Sequence, residues 1–497
     1  MGKQRSKKRP TRFLGTYTMP DGQFVVGELW LKGSNTLLKL HSNEHLARIE
    51  AATCLKGIAY TGECLTLVDC NSPGIGQTSF QGSPTRYHAD VFPHYVAIGR
   101  GHLNPNEPYI SSIHFTTSDL ATLFYDFDAF SHVIDAKPII DVVLQERRKV
   151  RPVESGEWPQ VMYFTGKDCI AEVVTKIGKI SVHHRPSYNM GGPTGVYLKN
   201  RIVVSIQPDQ PVTFVEAVNR MYDTACFLSI AAGRIQGIDH IHVTTTKIVD
   251  NIPESISIYP SYRWKASDKS KQSKPHPGDV PLDPIQNPAE FESVLSDWMS
   301  RHSGWRAARG RYLGCLRKTN NYDPERLVAA ANMFDILPAG ALPSATELPG
   351  DLAATKDECK AMFRKHPDGI DRNNALNYLG LLGKLSLPKK IAHRVSIVES
   401  KLGDKFPELQ FVARLAIMCR NFFVHGSSTK FEYAKMEPFV PFFTNTLEFI
   451  FAASDLIDAG WDAQRWGSQA YGWGHSFTRF RSGYAITLAQ LRRVADT

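Results

Sequence analysis

Leu415-Ala416-Ile417-Met418-Cys419-Arg420-Asn421-Phe422-Phe423-Val424-His425-Gly426 is a helix-compatible apolar run interrupted only by Arg420, Asn421 and His425. A helix that is apolar nearly all round is buried in a bundle or between subunits. A guanidinium there is costly unless an anion meets it, either a carboxylate or a ligand. Gly426 stands just past the expected helix end, where only glycine enters the left-handed cap without a steric penalty. His425 then falls in the last turn, where the helix dipole favours a cation by about 0.3–1 kcal/mol. On an ideal helix Asn421 and His425 share a face, whereas Arg420 points about 140° away from His425. Side-chain reach, fraying of the last turn or a second subunit has to bring Arg420 and His425 together.

The segments around this run also read as helices. Asp323-Pro324-Glu325 is a helix start, an N-cap followed by proline in the first position. Its helix continues through Leu327, Ala330, Ala331 and Phe334 to Leu337 and ends at Pro338, with Asp335 on or beside the apolar side. Further helices are expected over 358–366, over 374–387 with Pro388 as terminator, and over 389–402 ended by Gly403; Pro407 opens the helix of the motif. The stretch 439–457 carries Glu448 and Asp455, so it reads as a buried helix rather than a membrane span of about 20 apolar residues. Upstream, 291–299 begins one helix and 305–318 forms another. Arg306, Arg309, Arg311, Arg317 and Lys318 make the latter the best local candidate for contacting a phosphate backbone. The C-terminal stretch 472–497 reads as a basic helix.

From 13 to 264 the signal is strand-like instead. Short apolar segments such as 24–31 and 36–40 flank turn-forming Lys32-Gly33-Ser34-Asn35, and others follow between glycine, proline and asparagine clusters. One helix interrupts them over 213–232, an amphipathic stripe between Pro211 and Gly233. A break near 151–159 divides this region into two β-rich lobes. Residues 265–290, rich in lysine, serine and proline, read as a flexible linker. The expected fold class is therefore α+β: a basic disordered tail over 1–12, a β-rich domain over 13–264, the linker, and an all-α domain over 291–497.

Composition narrows the function classes. The chain has 497 residues, 42% hydrophobic and 22% charged, as in ordinary soluble globular domains. No hydrophobic signal region opens it, so the expected location is the cytoplasm, with no membrane association. The eight cysteines form no C-x-x-C pair and read as free thiols. Net charge is +9, most of it from Lys3, Arg5, Lys7, Lys8, Arg9 and Arg12. Affinity for nucleic acid must therefore come from local patches rather than the whole-chain balance. His240-Ile241-His242 is at most half a metal site, and the glycine-rich loop over 71–84 lacks the spacing that cradles phosphates. No cofactor or metal site is expected.

Arg420-Asn421-Phe422-Phe423-Val424-His425 resembles the R-N-x-x-x-H form of the motif of HEPN ribonucleases, compact helical domains found in toxins and anti-phage proteins. A second arginine-histidine pair, Arg234 and His240, has permitted spacing but leads into a strand. Phe13-Leu14-Gly15-Thr16-Tyr17, with Gly27-Glu28-Leu29-Trp30-Leu31 and Leu37-Leu38-Lys39-Leu40, is similar to the opening hairpin of ApeA-type abortive-infection proteins, in which such a domain precedes a HEPN domain.

The resemblance implies an endoribonuclease of anti-phage defence, acting without metal on RNA such as tRNA or mRNA, with a site shared across a homodimer. It also implies that the N-terminal domain senses a phage-derived trigger or restrains the nuclease. Cleavage of that kind needs a proton-transfer group and positive charge on the phosphorane, roles that His425 and Arg420 can fill, with Asn421 orienting either partner. Asp335 is the expected acidic partner of Arg420. Relatives silenced by nucleotidylation carry a tyrosine two positions after the motif histidine; here that position is Ser427. Two other readings stay open. One is a non-catalytic HEPN domain that binds a nucleotide or partner protein; the other makes the N-terminal domain an enzyme or carbohydrate binder in its own right.

Overall fold

The computed structural model describes residues 11–495 apart from Ser83, Met190, Thr194, 263–273, 344–347, 427–431 and Tyr471. The basic tail up to residue 10, the lysine-rich start of the expected linker and Ser427 lie outside the described residues. The chain divides into two units, Met1–Ser300 and Arg301–Thr497.

The first unit opens with β1 (Thr11–Thr18), β2 (Phe24–Leu31), β3 (Leu37–Ser42), β4 (Thr53–Ala59) and β5 (Cys64–Asn71), followed by the short β6 (Ile75–Thr78) and the long β7 (Arg86–Gly99). Pairing runs β7-β3-β2-β1-β4-β5 and returns to β7, so these strands close into a barrel. Alternation dictates the closure: on β2, Val25, Leu29 and Leu31 point inward while Phe24 and Val26 stay exposed. Tyr17, Leu38, Leu40, Leu67 and Val91 fill the interior with them. Closing the sheet removes the unpaired edges on which other chains could add. The strands approach so closely that a Cβ added to Gly15 would stand 2.3 Å from the Ile58 carbonyl oxygen.

The sheet continues past β7. In chain order come β8 (Ile110–Thr117), α1 (Leu120–Leu123), β9 (Phe130–His132), α2 (Lys137–Arg148), β10 (Met162–Phe164), β11 (Cys169–Thr175), β12 (Gly178–His184), β13 (Ser187–Tyr188) and β14 (Leu198–Lys199). Then follow β15 (Ile202–Gln207), α3 (Phe214–Ala232), β16 (Ile238–Val249) and β17 (Ile252–Pro260). The order β11-β12-β15-β8-β16-β17-β7 joins this half to the barrel in one antiparallel sheet. The expected division near 151–159 is therefore corrected. β8, which precedes that break, pairs between β15 and β16, which follow it. The break sits instead in an excursion that carries α2.

α3 matches the expected helix. The Thr213 hydroxyl accepts from the Glu216 amide, the Glu216 carboxylate accepts in return from Thr213, and Gly233 closes the end in left-handed backbone. The proline-rich stretch 274–287 departs from the linker reading. Pro277–Asp279 forms a 3-10 turn, and Asp279, Val280 and Leu282 are buried. Apolar residues between the prolines give this segment something to pack.

α4 (Pro288–Arg317) contributes residues to both units and is one continuous helix rather than two. The second unit then carries α5 (Pro324–Asp335), α6 (Gly350–Arg364), α7 (Ile370–Leu381), α8 (Leu387–Leu402), α9 (Leu409–His425), α10 (Tyr433–Met436), α11 (Val440–Asp458), α12 (Ala463–Ser468) and α13 (Ser476–Ala495). Pro388 starts α8 instead of ending its predecessor, as its fixed φ suits a first helical turn. α11 is the axis of the bundle, packed against α5, α8, α9 and α13 and buried along nearly its whole length. Its two buried acids, Glu448 and Asp455, are each met by arginine: Arg326 grips Glu448 at 2.7 and 2.9 Å, and Arg309 grips Asp455 at 2.8 and 2.9 Å.

Candidate active site

α9 buries Leu409, Val412, Ala413, Leu415, Ala416, Ile417 and Cys419, and then its character changes. Arg420 is half-buried, and Asn421 and His425 are exposed. The run that looked uniformly apolar is thus buried over its first turns and emerges at its end, which brings the motif to the surface. Gly426 terminates the helix with φ of 82°, and its amide donates to the Phe422 carbonyl at 3.0 Å. With ψ of −176° this is not the left-handed cap expected, but an extended backbone of positive φ for which glycine is needed all the same.

Arg420 is held by neutral groups. Its Nη2 donates to Asn332 Oδ1 at 2.8 Å and its Nη1 to Asn421 Oδ1 at 3.1 Å, while the buried Nε has no hydrogen-bond partner among the described residues. Among the described residues no carboxylate pairs with it. The expected partner, Asp335, lies elsewhere: Lys390 Nζ donates to its carboxylate at 3.3 Å and to its backbone carbonyl at 3.0 Å. The reason is position on α5. Asp335 is the exposed last residue of that helix, whereas Asn332, three residues earlier and half-buried, reaches Arg420. Asn332 escaped the sequence reading, although an amide within the alanine-rich stripe of α5 is itself a signal.

The structure joins Arg420 and Asn421 directly. Among the described residues no hydrogen bond links either of them to His425. What fixes the helix end instead is aromatic: Tyr433 on α10 stacks on Phe422 with centroids 4.6 Å apart and planes 3° from parallel, and meets Phe423 edge-on at 5.0 Å. Burial, with lesser help from Glu437 and Cys419, raises the Tyr433 phenol above its ordinary range, so it stays neutral in this stack. No feature of the sequence pointed to Tyr433.

The basic stripe of α4 divides in two. Arg309 is fully buried and bound to Asp455, together with Arg301, which reaches the same carboxylate at 2.8 Å. Burial works to raise the Asp455 carboxyl, but Arg309 and Arg301 outweigh it and hold the group below its ordinary range. The guanidiniums of Arg301, Arg309 and Arg394 surround the Trp305 ring at 5.3, 5.2 and 5.2 Å. Arg309 is therefore part of the scaffold and not a phosphate contact. Lys318 is likewise engaged, with Asp323 at 2.8 Å and Glu325 at 3.2 Å beside the start of α5. Arg306, Arg311 and Arg317 are exposed.

The competing pair falls away on geometry. Arg234 is buried against Asp119, Nε to Oδ2 at 2.6 Å, and His240 lies within strand β16. Among the described residues no group of three or more histidines, cysteines and acids is placed to hold a metal ion, and all eight cysteines are free thiols. No helix among the described residues is long and apolar enough to cross a membrane.

Two family models match the chain. One, described as ApeA N-terminal domain 1, covers residues 12–298; the other, described as Apea-like HEPN, covers residues 328–465. The first extends beyond the expected boundary at 264 through the packed stretch 274–287 and into α4. The second contains Asn332, Asp335 and the whole motif, and leaves out the arginines of α4. No curated protein and no solved structure matches.

Proposed function

Because the chain belongs to the ApeA family, an ApeA N-terminal domain followed by an ApeA-like HEPN domain, we propose that it is a defence endoribonuclease whose reacting groups are Arg420, Asn421 and His425. The observation that carries this reading is the environment of Arg420. A guanidinium brought to the surface at a helix end and answered, among the described residues, by amides alone keeps its charge for an incoming anion. A phosphodiester supplies that anion, and the planar fork of arginine suits two of its oxygens.

The chemistry follows from these groups. The ribose 2′-hydroxyl attacks the adjacent phosphorus, the bond to the 5′-oxygen breaks, and a 2′,3′-cyclic phosphate and a 5′-hydroxyl result. Arg420 stabilises the charge that accumulates on the phosphorane, and Asn421, tied to Arg420, fixes its orientation. His425 serves one of the two proton transfers; each is worth about 10²–10⁴ in rate. One chain offers a single motif histidine. A homodimer that sets two copies of the motif in one cleft supplies both the base and the acid, and isologous symmetry makes such a site economical. Exposed Arg306, Arg311 and Arg317 are the remaining candidates for contacts along an RNA backbone. The RNA is a cytoplasmic tRNA or mRNA, and the N-terminal domain senses a phage-derived trigger or lowers, without abolishing, the activity of the nuclease.

Incubation of the purified protein with total RNA in EDTA tests the reading. Wild type is expected to cut the RNA, and Arg420→Ala and His425→Ala to leave it whole, with at least about a hundredfold loss of rate. Uncut RNA with the wild type as well would identify a non-catalytic HEPN module; cleavage retained by both variants would remove the motif from the mechanism.

A further inference from the structure

The N-terminal unit holds a second polar cluster that the nuclease reading does not use. Along β8, β15, β16 and β17 successive side chains alternate between the two faces of the sheet. One face is apolar and buried, with Phe115, Val204, Val243 and Ile256 among its members. The opposite face carries histidines, arginines and hydroxyls around a concavity of about 280 Å³. His114 stands at its centre, opposite Ser205 on one neighbouring strand and His242 on the other. Both ring nitrogens of His114 are held: Nδ1 lies 2.6 Å from Ser205 Oγ, and Nε2 lies 2.9 Å from Ser112 Oγ and 3.1 Å from Thr244 Oγ1.

The fixed charges on the lining of this hollow, Arg185 and Arg201, have one sign. Arg185, Arg201, His240 and His242 line it with His114, and none of the lining residues is acidic. Arg185 is paired with Asp168 outside the hollow, whereas Arg201 has no acidic partner among the described residues. Burial first, then the charges of His242, Arg185 and His183, push His114 down to about 4. What bears on anions is the fixed charge of Arg185 and Arg201 on the lining, which a concave low-dielectric surface concentrates. The backbone is shaped to the purpose as well. β16 slips register between Asp239 and His242, and His240 holds φ of 52° there, a costly conformation for a residue other than glycine. Bulges of this kind re-aim side chains. Here the bulge leaves both His240 and His242 lining the hollow.

We propose that this hollow is a binding site for a small phosphate-bearing molecule, of the size of a phosphomonoester such as a mononucleotide. Its volume lies at the lower edge of the range of about 300–1,000 Å³ usual for small-ligand sites. Arg201 supplies the guanidinium fork, Ser205 and Thr244 supply neutral donors, and His242 becomes a cationic donor on taking a proton as the anion binds. The basic groups gather around one hollow instead of following a groove, which favours a compact ligand over a nucleic-acid strand. The site is in the N-terminal domain and shares no residue with the motif of α9, so it stands or falls independently of the nuclease reading.

Calorimetric titration of the full-length protein with AMP, inorganic pyrophosphate and phosphate-free adenosine decides the matter. AMP and pyrophosphate are expected to bind and adenosine not to. Arg201→Ala, at an exposed position, and His242→Gln are each expected to weaken binding at least about tenfold with the circular dichroism spectrum unchanged. Absence of binding by both phosphate compounds at millimolar concentration, equal binding of adenosine, or affinity unaltered in both variants overturns the proposal. So does binding through Arg201 that is confined to single-stranded RNA.

Discussion

Arg309 and Arg420 are both guanidiniums in the helical unit, and what answers each of them differs. Arg309 is fully buried and meets a buried carboxylate at two oxygens, with Arg301 completing the cluster. Arg420 is half-buried and meets the amide oxygens of Asn332 and Asn421. A cation retained for structure needs an opposite charge, since desolvating it otherwise costs several kcal/mol. A cation retained for an anionic ligand has to keep its charge uncompensated, so it stays where water can screen it until the ligand arrives. The partner's charge, more than the arginine itself, separates scaffold from site.

The largest effect expected from this contrast comes from removing the acid. Asp455→Ala takes the carboxylate away from buried Arg309 and half-buried Arg301 and is expected to cost about 3–5 kcal/mol. Arg420→Ala loses hydrogen bonds to neutral partners at a half-buried position and is expected to cost less than about 1.5 kcal/mol. Urea denaturation of both variants measures the difference. Equal destabilisation would mean that Arg420 is a second scaffold arginine and that its amide partners are incidental.

The N-terminal unit offers the same contrast with the sign reversed, because half-buried His114 shares its hollow with Arg185 and Arg201 and with no acid. Its ordinary value of 6.5 falls to about 4, chiefly through burial. The folded protein therefore refuses a proton that the unfolded chain accepts. Stability is complete above pH 6.5 and declines as pH falls towards about 4, by at most about 3 kcal/mol from this group. His114→Gln is expected to flatten that part of the stability-pH curve. A curve identical to wild type would show that His114 is protonated in the fold and that its surroundings are not dominated by positive charge.

Much of this arrangement was legible in the chain itself. Thr213, Glu216 and Gly233 delimit α3 by local rules of capping, and Gly426 ends α9 by the same logic, because such signals depend on a few neighbouring residues. The burial of Glu448 and Asp455 can be read from their apolar surroundings in sequence, but their partners cannot, since pairing across more than a hundred residues leaves no local trace. Long-range pairing also hid the single sheet: β8 lies between two strands that follow it by some ninety residues or more. At the candidate site, Arg420, Asn421 and His425 could be named from one short segment. Asn332 and Tyr433 come from other helices, and only tertiary packing brings them to the motif.

A smaller effect is expected where the two arginines are made alike. Asn332→Asp gives Arg420 the acid that Arg309 already has, at a position where the amide oxygen now accepts at 2.8 Å. Replacing a neutral acceptor with a charged one is expected to add about 1 kcal/mol of stability. RNA cleavage is expected to fall at least about tenfold, because the guanidinium is now neutralised before the phosphate arrives. Unchanged cleavage in a stabilised variant would show that compensation of Arg420 is irrelevant to function.

The smallest effect is expected at Asp335, the residue that sequence position favoured as the acidic support of the motif. Its carboxylate is 40% exposed and its partner is Lys390 at 3.3 Å, so solvent screens the pair and Asp335→Ala is expected to change stability by no more than about 0.5 kcal/mol. Cleavage is expected to match wild type, because no atom of Asp335 is bonded to Arg420. Asn332→Ala, assayed beside it, is expected to slow cleavage by releasing one side of the guanidinium. The reverse ranking, with Asp335→Ala inactive and Asn332→Ala active, would return the acid to the motif. Arg420 would then be a charge-compensated arginine like Arg309, and the distinction drawn from their partners would fail.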